Sequence, residues 1–571
     1  KMFDKLLIMD TGGFPIYYAN PIDAVIYFKK EVNHIRQDES ECPQCGNVNP
    51  EQIFNIIESP VVDEYGNLTV NRKKAPKDWY ETYKERHQPS TSEEQPPLPT
   101  VNFKVPNKLK QFRVFLFRDI LSKVSNQQYL MINLLEAPIL ALILAYFLRF
   151  YQMAKSESEA YVFYENDNLP AFMFIAVIVA LFIGLTVSAE EIFKDRKIRK
   201  RESFLDLSKI SYLFSKIIIM FSLSAVQTLT FVILGNLILG IKGLYFDYWL
   251  ILFSTACFAN MLGLNISASF NSAVTIYIVI PFLLIPQILF SGVIVKFEKL
   301  NPTVTSQAIV PVIGEIMASR WAFEALAVNQ FKENQYEKEF YDYNREMSVA
   351  NFRKNFWIPA IKSKLGAIER NMTSDEPAKQ EELTDALYLV RNEVNRQMAY
   401  LPFINFDQLD AFQPGTVTQG NVDAMRKYLD KVNRYYINQY NVNSGKKDSI
   451  IALHQSTPES KEAFNEQRRN FENESLTDLV TNKTEFNQID EYDGALIQRA
   501  DPIFLNPDGA RAHFYAPNKR VFGRQYGTFG FNILVLWGMS LLLGITLYFD
   551  AFKGLFDFFG SQAERFTSRK S

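Results

Sequence analysis

Six stretches of the chain are long, apolar and nearly free of charge: residues 129–150, 169–189, 212–240, 247–266, 273–295 and 526–549. A helix that crosses the hydrocarbon core of a bilayer needs about 20 such residues. Each stretch is therefore read as a span, because a water-soluble fold would have to bury all six on every side. None of them lies at the N-terminus ahead of a cleavage site, so none is a signal peptide. Elsewhere the pattern changes. Residues 6–9 and 15–18 read as short strands around Gly12-Gly13, and Asn20-Pro21 opens a helix over 22–30. Residues 72–102 are polar and end in Pro96-Pro97-Leu98-Pro99, which reads as a linker. Over 105–126, Lys108, Lys110, Arg113, Arg118 and Lys123 alternate with Leu109, Phe112, Leu116, Ile120 and Leu121. That is a basic amphipathic helix, suited to a membrane surface or to packing on a neighbouring domain. Helical spacing recurs in Leu383, Leu387, Val390, Val394 and Met398, and again in Val422, Met425, Leu429, Val432 and Tyr436 behind an Asn421 cap.

Charge orients the spans. The loop after the second run carries Lys194, Arg196, Lys197, Arg199, Lys200, Arg201 and Lys209, whereas the loop after the first has Lys155 against Glu157, Glu159, Glu165 and Asp167. Short basic loops stay cytoplasmic. Six spans then put both termini inside and residues 331–525 outside. About 190 residues are too many for a loop, so a separate, mostly helical outer domain is expected. The chain has 61 basic and 63 acidic residues, which excludes a global attraction to nucleic acid. Three cysteines in 571 residues exclude a disulfide-built scaffold. The chain starts at Lys1, and residues 3–9 read as the middle of a buried strand, so a longer protein is expected.

Several motifs fall in a consistent order. Residues 3–9 are followed by Gly12-Gly13 and by Tyr17-Tyr18-Ala19-Asn20-Pro21, and Asn49-Pro50-Glu51-Gln52-Ile53-Phe54 comes later. Between the second and third runs stand Asp195-Arg196-Lys197-Ile198-Arg199-Lys200-Arg201-Glu202 and Ser211-Tyr212-Leu213-Phe214-Ser215-Lys216. After the fifth come Ser291-Gly292, Pro311, Ser319-Arg320-Trp321-Ala322-Phe323-Glu324 and Asn329-Gln330-Phe331. Against six spans this order resembles the G subfamily of ABC transporters over residues 1–331 and 526–553; Glu51-Gln52 departs from that family's Ala-Asp. The resemblance implies a mainly α fold with three parts: a six-helix exporter-type transmembrane domain, a C-terminal remnant of an α/β nucleotide-binding domain, and a mostly helical extracytoplasmic domain. The implied layout is 1–70 for the remnant, 71–104 for a linker, 105–126 for a connecting helix and 127–330 for spans one to five. Residues 331–525 then form the outer domain and 526–571 the last span and tail.

The same resemblance implies an ATP-driven exporter whose half-transporter pairs with a second copy, most simply as a homodimer in a bacterial inner membrane. No G-x-x-x-x-G-K-S/T loop occurs in the chain, so ATP and magnesium are assigned to residues upstream of Lys1 and no catalytic residue is named. The inner loop 190–211 is expected to couple the spans to the ATPase through Asp195, Arg196 and Glu202. The substrate path is expected along the second and fifth spans, at Val179, Ile183, Ile278 and Ile285, closed outward by Val293 and Ile294. Pro281 and Pro286 bend the fifth span. These path residues are all apolar, which suits a hydrophobic or amphipathic, lipid-like substrate. A second reading is a transmitter that moves the outer domain or a periplasmic partner protein and passes nothing through the membrane. Cys42-Pro43-Gln44-Cys45 supplies two of the four ligands zinc needs. Zinc ligation, a redox dithiol and inert packing thiols are its three readings.

Overall fold

The computed structural model describes residues 5–34, 51–87, 106–150, 161–205, 207–507 and 509–568. The chain divides into two units, Lys1–Lys104 and Val105–Ser571. In the first, β1 (Leu6–Asp10) and β2 (Phe14–Ala19) form an antiparallel hairpin. Its turn needs φ of +92° and +82°, and glycine fills both positions, Gly12 and Gly13. Next comes α1 (Pro21–Glu31), whose Asn20 Oδ1 accepts from Ile22 N–H at 3.0 Å. Then follow α2 (Glu51–Ile57), the hairpin β3 (Pro60–Val62) and β4 (Leu68–Arg72), and α3 (Pro76–Arg86). The expected linker 71–104 therefore contains structure. Trp79 of α3 is fully buried, with Phe28 at 5.3 Å between ring centroids and Lys74 over its face at 4.3 Å. One indole anchors an otherwise polar helix, and a polar average conceals it.

The second unit begins with α4 (Lys108–Val124), α5 (Gln127–Leu148), α6 (Leu169–Ser188) and α7 (Glu191–Glu202). It continues with α8 (Lys209–Leu239), α9 (Tyr245–Ser269), α10 (Ala273–Leu289), α11 (Val312–Glu315) and α12 (Ala318–Lys332). Among the described residues α5, α6, α8, α9 and α19 (Thr528–Tyr548) are long and apolar enough to cross a membrane. The fifth run, expected to be helical over 273–295, is helical only to Leu289 and is 17 residues long. It ends where Ser291-Gly292 turns the chain at a Gly292 φ of +81°, and a Cβ there would run into the Phe297 ring.

The bundle core is built on close approach of α6 and α9. A Cβ added at Gly184 would lie 2.6 Å from the Ala256 carbonyl oxygen and 2.7 Å from the Ala259 Cβ. Small residues let the two backbones touch, the packing that membrane helices rely on where lipid removes the hydrophobic drive. At one end of the bundle sit α4, α7 and the start of α20 (Ala551–Ser568) beside the start of α8, where Phe115 of α4 packs on Tyr212 and Lys209 pairs with Asp550 just before α20. At the other end, Tyr161 bonds Leu239 O, Tyr248 bonds Gln330, and Asn473 bonds Phe163 O and Asn166 O.

The long insert rises from that second end. It comprises α13 (Glu337–Phe352), α14 (Ile358–Asn371), α15 (Pro377–Tyr400), α16 (Gln419–His454), α17 (Pro458–Phe471) and α18 (Glu474–Val480). Two hairpins close it, β5 (Ile489–Tyr492) with β6 (Ala495–Gln498) and β7 (Asn518–Val521) with β8 (Arg524–Gly527). Leu383, Leu387, Val390 and Val394 of α15 meet Val422, Met425, Leu429 and Val432 of α16 in a core separate from that of the bundle. The cap of α16 is Thr418 rather than Asn421. Asn421 sits three residues in, and its side chain reaches back to accept from Thr418 N–H at 3.0 Å.

Candidate functional site: a braced loop helix and an open helix face

Helix α7 starts on a borrowed cap. Ser267 Oγ, from the end of α9, accepts from Ile192 N–H and Phe193 N–H, both at 3.0 Å. Two of the helix's orphan donors are thereby satisfied by another element, which fixes where α7 begins. The rest of the helix is held by charge. Lys216 of α8 is 4% exposed, and its ammonium lies 2.8 Å from Asp119, 3.1 Å from Glu191 and 2.9 Å from Asp195. Lys123 of α4 reaches Glu191 at 2.7 Å, and Tyr212 donates to Asp195 at 3.0 Å. Arg118 pairs with Glu202 at 3.1 Å. Arg196 donates to the Asn271 side chain and, at 3.0 Å, to Ala268 O.

The three expected coupling residues are thus fastened to α4, α8 and the end of α9. The loop between the second and third spans is a helix locked to its neighbours. Asp119, Lys123, Glu191 and Lys216 complete the knot, a role the sequence alone gives to none of them. Lys216 gave the available signal: a cation inside an apolar run needs a partner.

The expected path residues do not share one environment. Ile183 is buried within the chain's own core, and Val179 is half-buried. Ile278 and Ile285 stand on an open stripe of α10 with Val274, Phe282 and Leu289, at spacings of three and four. After the helix, Ile294 is exposed while Val293 packs inward on the bundle core. Cys42 and Cys45 lie outside the described residues. Among the described residues no group of three or more His, Cys, Asp and Glu is placed to hold a metal.

At the opposite end of the bundle a second charged cluster roots the insert. Arg320, Glu324, Lys519 and Asn532 are all fully buried. Glu324 accepts from Lys519 and from Asn532, each at 2.9 Å, with Arg320 at 3.6 Å, and Arg320 reaches Glu315 at 3.4 Å. Burial pushes the Glu324 carboxyl up, but Arg320 and Lys519 outweigh it and hold it below the ordinary carboxylate range. Asn532 also donates to Trp321 O at 2.9 Å, so α12, β7 and α19 are pinned at one point. Further out, a cavity of about 360 Å³ is lined by Glu337, Asn344, Lys447, Arg468 and Asp501 among others. Burial raises Glu337 to about 7 there, and it raises Asp501 as well.

The comparisons with known proteins fall on the bundle. A family model described as ABC-2 type transporter matches residues 110–331. An ABC transporter G family member STR from Medicago truncatula is 25% identical over 227 residues, which is 40% of this chain and 26% of that protein. The chain therefore spans about a quarter of the length of this relative. The matched stretch holds α4 to α12, including the capped and braced α7 and the tight α6–α9 contact. The protein is accordingly a multi-pass membrane protein whose residues 110–331 match the ABC-2 type transporter family and are similar in sequence to an ABC transporter G family member.

Proposed function

We propose that the chain is the transmembrane part of an ATP-driven exporter, which pairs with a second half-transporter and moves a hydrophobic or amphipathic, lipid-like substrate outward. The α7 end of the bundle faces the cytoplasm of a bacterial cell and the insert faces the periplasm. ATP and magnesium belong to an ATP-binding domain that acts on α7. The observation that carries this reading is the knot around Lys216. Force passes through rigid, packed contacts, and the knot makes α7 a stiff extension of α4 and α8. The open stripe of α10 is the apolar surface that a second half would cover, with Ile278 and Ile285 facing the space between halves and Val293 and Ile294 at its outer limit.

The test uses the full protein with its ATP-binding domain in liposomes. ATP-dependent movement of a fluorescent phospholipid is followed together with ATP hydrolysis. Val293→Ala/Ile294→Ala should raise basal leak or uncouple hydrolysis from movement. A cysteine at Ile278 should cross-link to its twin. Absence of both effects, with Ile278→Cys labelled only by lipid-phase reagents, refutes the path.

The buried cluster of Arg320, Glu324, Lys519 and Asn532 favours a second reading, a transmitter that drives the outer domain or a periplasmic partner. It ties β7 at the root of the insert to α12 and to the last span, which supports that reading. Under that reading ATP changes distances between spin labels on α15 and α19 while no lipid moves.

A further inference from the structure

Two cavities adjoin at the α7 end of the bundle. The first, of about 620 Å³, is lined by Arg196, Arg199, Lys200, Lys209 and Lys553, with Glu202 and Asp550 as its carboxylates. Both carboxylates already have cationic partners, Arg118 for Glu202 and Lys209 for Asp550. Among the described residues Lys200 and Lys553 make no ion pair, and both are exposed. The cavity therefore presents unneutralised positive charge. The second cavity, of about 500 Å³, is a groove between α8 and α19 with an almost wholly apolar lining. Leu213, Phe214, Trp537, Leu541 and Ile545 are among its walls. Phe214, Leu541 and Ile545 are exposed along it.

The two share an edge. Lys209 and Tyr212 line the first and Ile210 and Leu213 the second; Asp550 lines the first, and Tyr548 and Phe549 line the second. The boundary runs where two spans end, which is where hydrocarbon gives way to headgroups.

We infer that this composite cavity is a binding site for one anionic phospholipid, its phosphate among Lys200, Lys209 and Lys553 and an acyl chain in the groove between α8 and α19. The chemistry selects the class. A phosphate monoanion is drawn to basic pockets between spans at the membrane surface. A zwitterionic headgroup brings its own cation and gains less from a cavity with five cationic side chains. A soluble anion leaves the apolar groove empty. The inference needs only that the bundle crosses a membrane and is independent of what, if anything, is transported. A lipid here would touch α7, α8, α19 and α20 at once, so its presence would stiffen the inner end of the bundle.

The test is native mass spectrometry of the full chain in detergent. It is titrated with phosphatidylglycerol and with phosphatidylcholine of the same acyl chains, and glycerol phosphate serves as the soluble headgroup. Phosphatidylglycerol should be retained about tenfold more strongly than phosphatidylcholine. Lys200→Ala/Lys553→Ala should abolish that preference, and Lys553→Ala alone should weaken it. Leu541→Trp, which fills the groove, should weaken both lipids without changing their ratio. All three variants alter exposed side chains, and melting without lipid reports that they fold. Equal retention of the two lipids by the unaltered protein overturns the inference. So does an unchanged preference in the lysine variants. Glycerol phosphate that displaces phosphatidylglycerol at similar concentration also overturns it, since the groove would then contribute nothing.

Discussion

Lys216→Met isolates the worth of the charged knot around α7. The ammonium sits 2.8–3.1 Å from three carboxylates, and its side chain is 4% exposed. Methionine keeps the volume and removes the charge, leaving Asp119, Glu191 and Asp195 facing one another. Breaking a buried pair costs about 3–5 kcal/mol, chiefly because the remaining charge has lost its partner. Lys123 stays 2.7 Å from Glu191 and 3.5 Å from Asp119 and offsets part of the loss, which places the expectation near the low end, about 3 kcal/mol. In scanning fluorimetry that amounts to a melting temperature lower by roughly 3 °C for a unit of this size. Lys209→Met, which breaks the half-exposed contact with Asp550, should cost under about 1 kcal/mol and serves as the control. Adding Glu191→Gln to Lys216→Met should recover part of the loss by removing one of the stranded charges. Under the proposed exporter reading, and with the proposed ATP-binding domain present, Lys216→Met should also lower substrate-stimulated ATP hydrolysis more than basal hydrolysis. A Lys216→Met protein that melts with the unaltered one, and responds to substrate as it does, refutes the idea that this knot braces α7.

Three further outcomes follow from the packing and the buried charges. Lys519→Met strands the Glu324 carboxylate and should destabilise by about 3 kcal/mol, while Lys519→Met/Glu324→Gln should recover most of it; limited proteolysis at the insert's root reads both. Gly184→Ala drives a methyl group into the Ala256 carbonyl and should cost about 1–3 kcal/mol, whereas Gly445→Ala, on an open part of α16, should be neutral or stabilising by up to about 1 kcal/mol. Burial lifts the Glu337 carboxyl from 4.5 to about 7, so the folded state holds a proton there that the unfolded chain releases. Its stability contribution is full below about pH 4.5 and is lost as pH rises through about 7. Glu337→Gln should flatten that slope and raise stability at pH 8 by up to roughly 3 kcal/mol, measured by denaturation at several pH values.

The spans were legible because bilayer thickness writes itself into composition: α5, α6, α8, α9 and α19 fall within or close to the apolar runs. The helices of the insert were legible for a different reason, the spacing of Leu383 to Val394 and of Val422 to Tyr436. The end of α10 was not, because residues 290–295 are as apolar as the helix before them. The helix ends at Leu289, and the chain turns just beyond it at the positive φ of Gly292, against the Phe297 ring. The charged knots were illegible in detail. Asp119 and Lys216 are 97 residues apart, and Glu324 and Lys519 are 195. Nothing local ties one to the other. A lone charge in an apolar stretch announces that a partner exists and leaves open which residue it is. Ile183 shows the converse: an apolar residue on a span reads alike whether it faces a passage or its own core.

The root of the insert has a consequence for how such a chain could have arisen. Residues 332 and 528 end and begin helices that lie side by side, with Trp321 against Phe531 at 6.1 Å and Asn532 bonded to the Trp321 carbonyl. The path out and the path back thus meet at one doorway. A connection across a doorway is cheap to lengthen, since closure entropy grows only with the logarithm of loop size. A smaller protein is folded inside this one: the bundle, the α12 shelf and the β7–β8 hairpin that carries Lys519. The core of α14 to α16 stands apart from the bundle core and can be enlarged or exchanged without re-threading a span, whereas Tyr341, Leu476 and Val480 of the insert pack into the bundle core and stay with it.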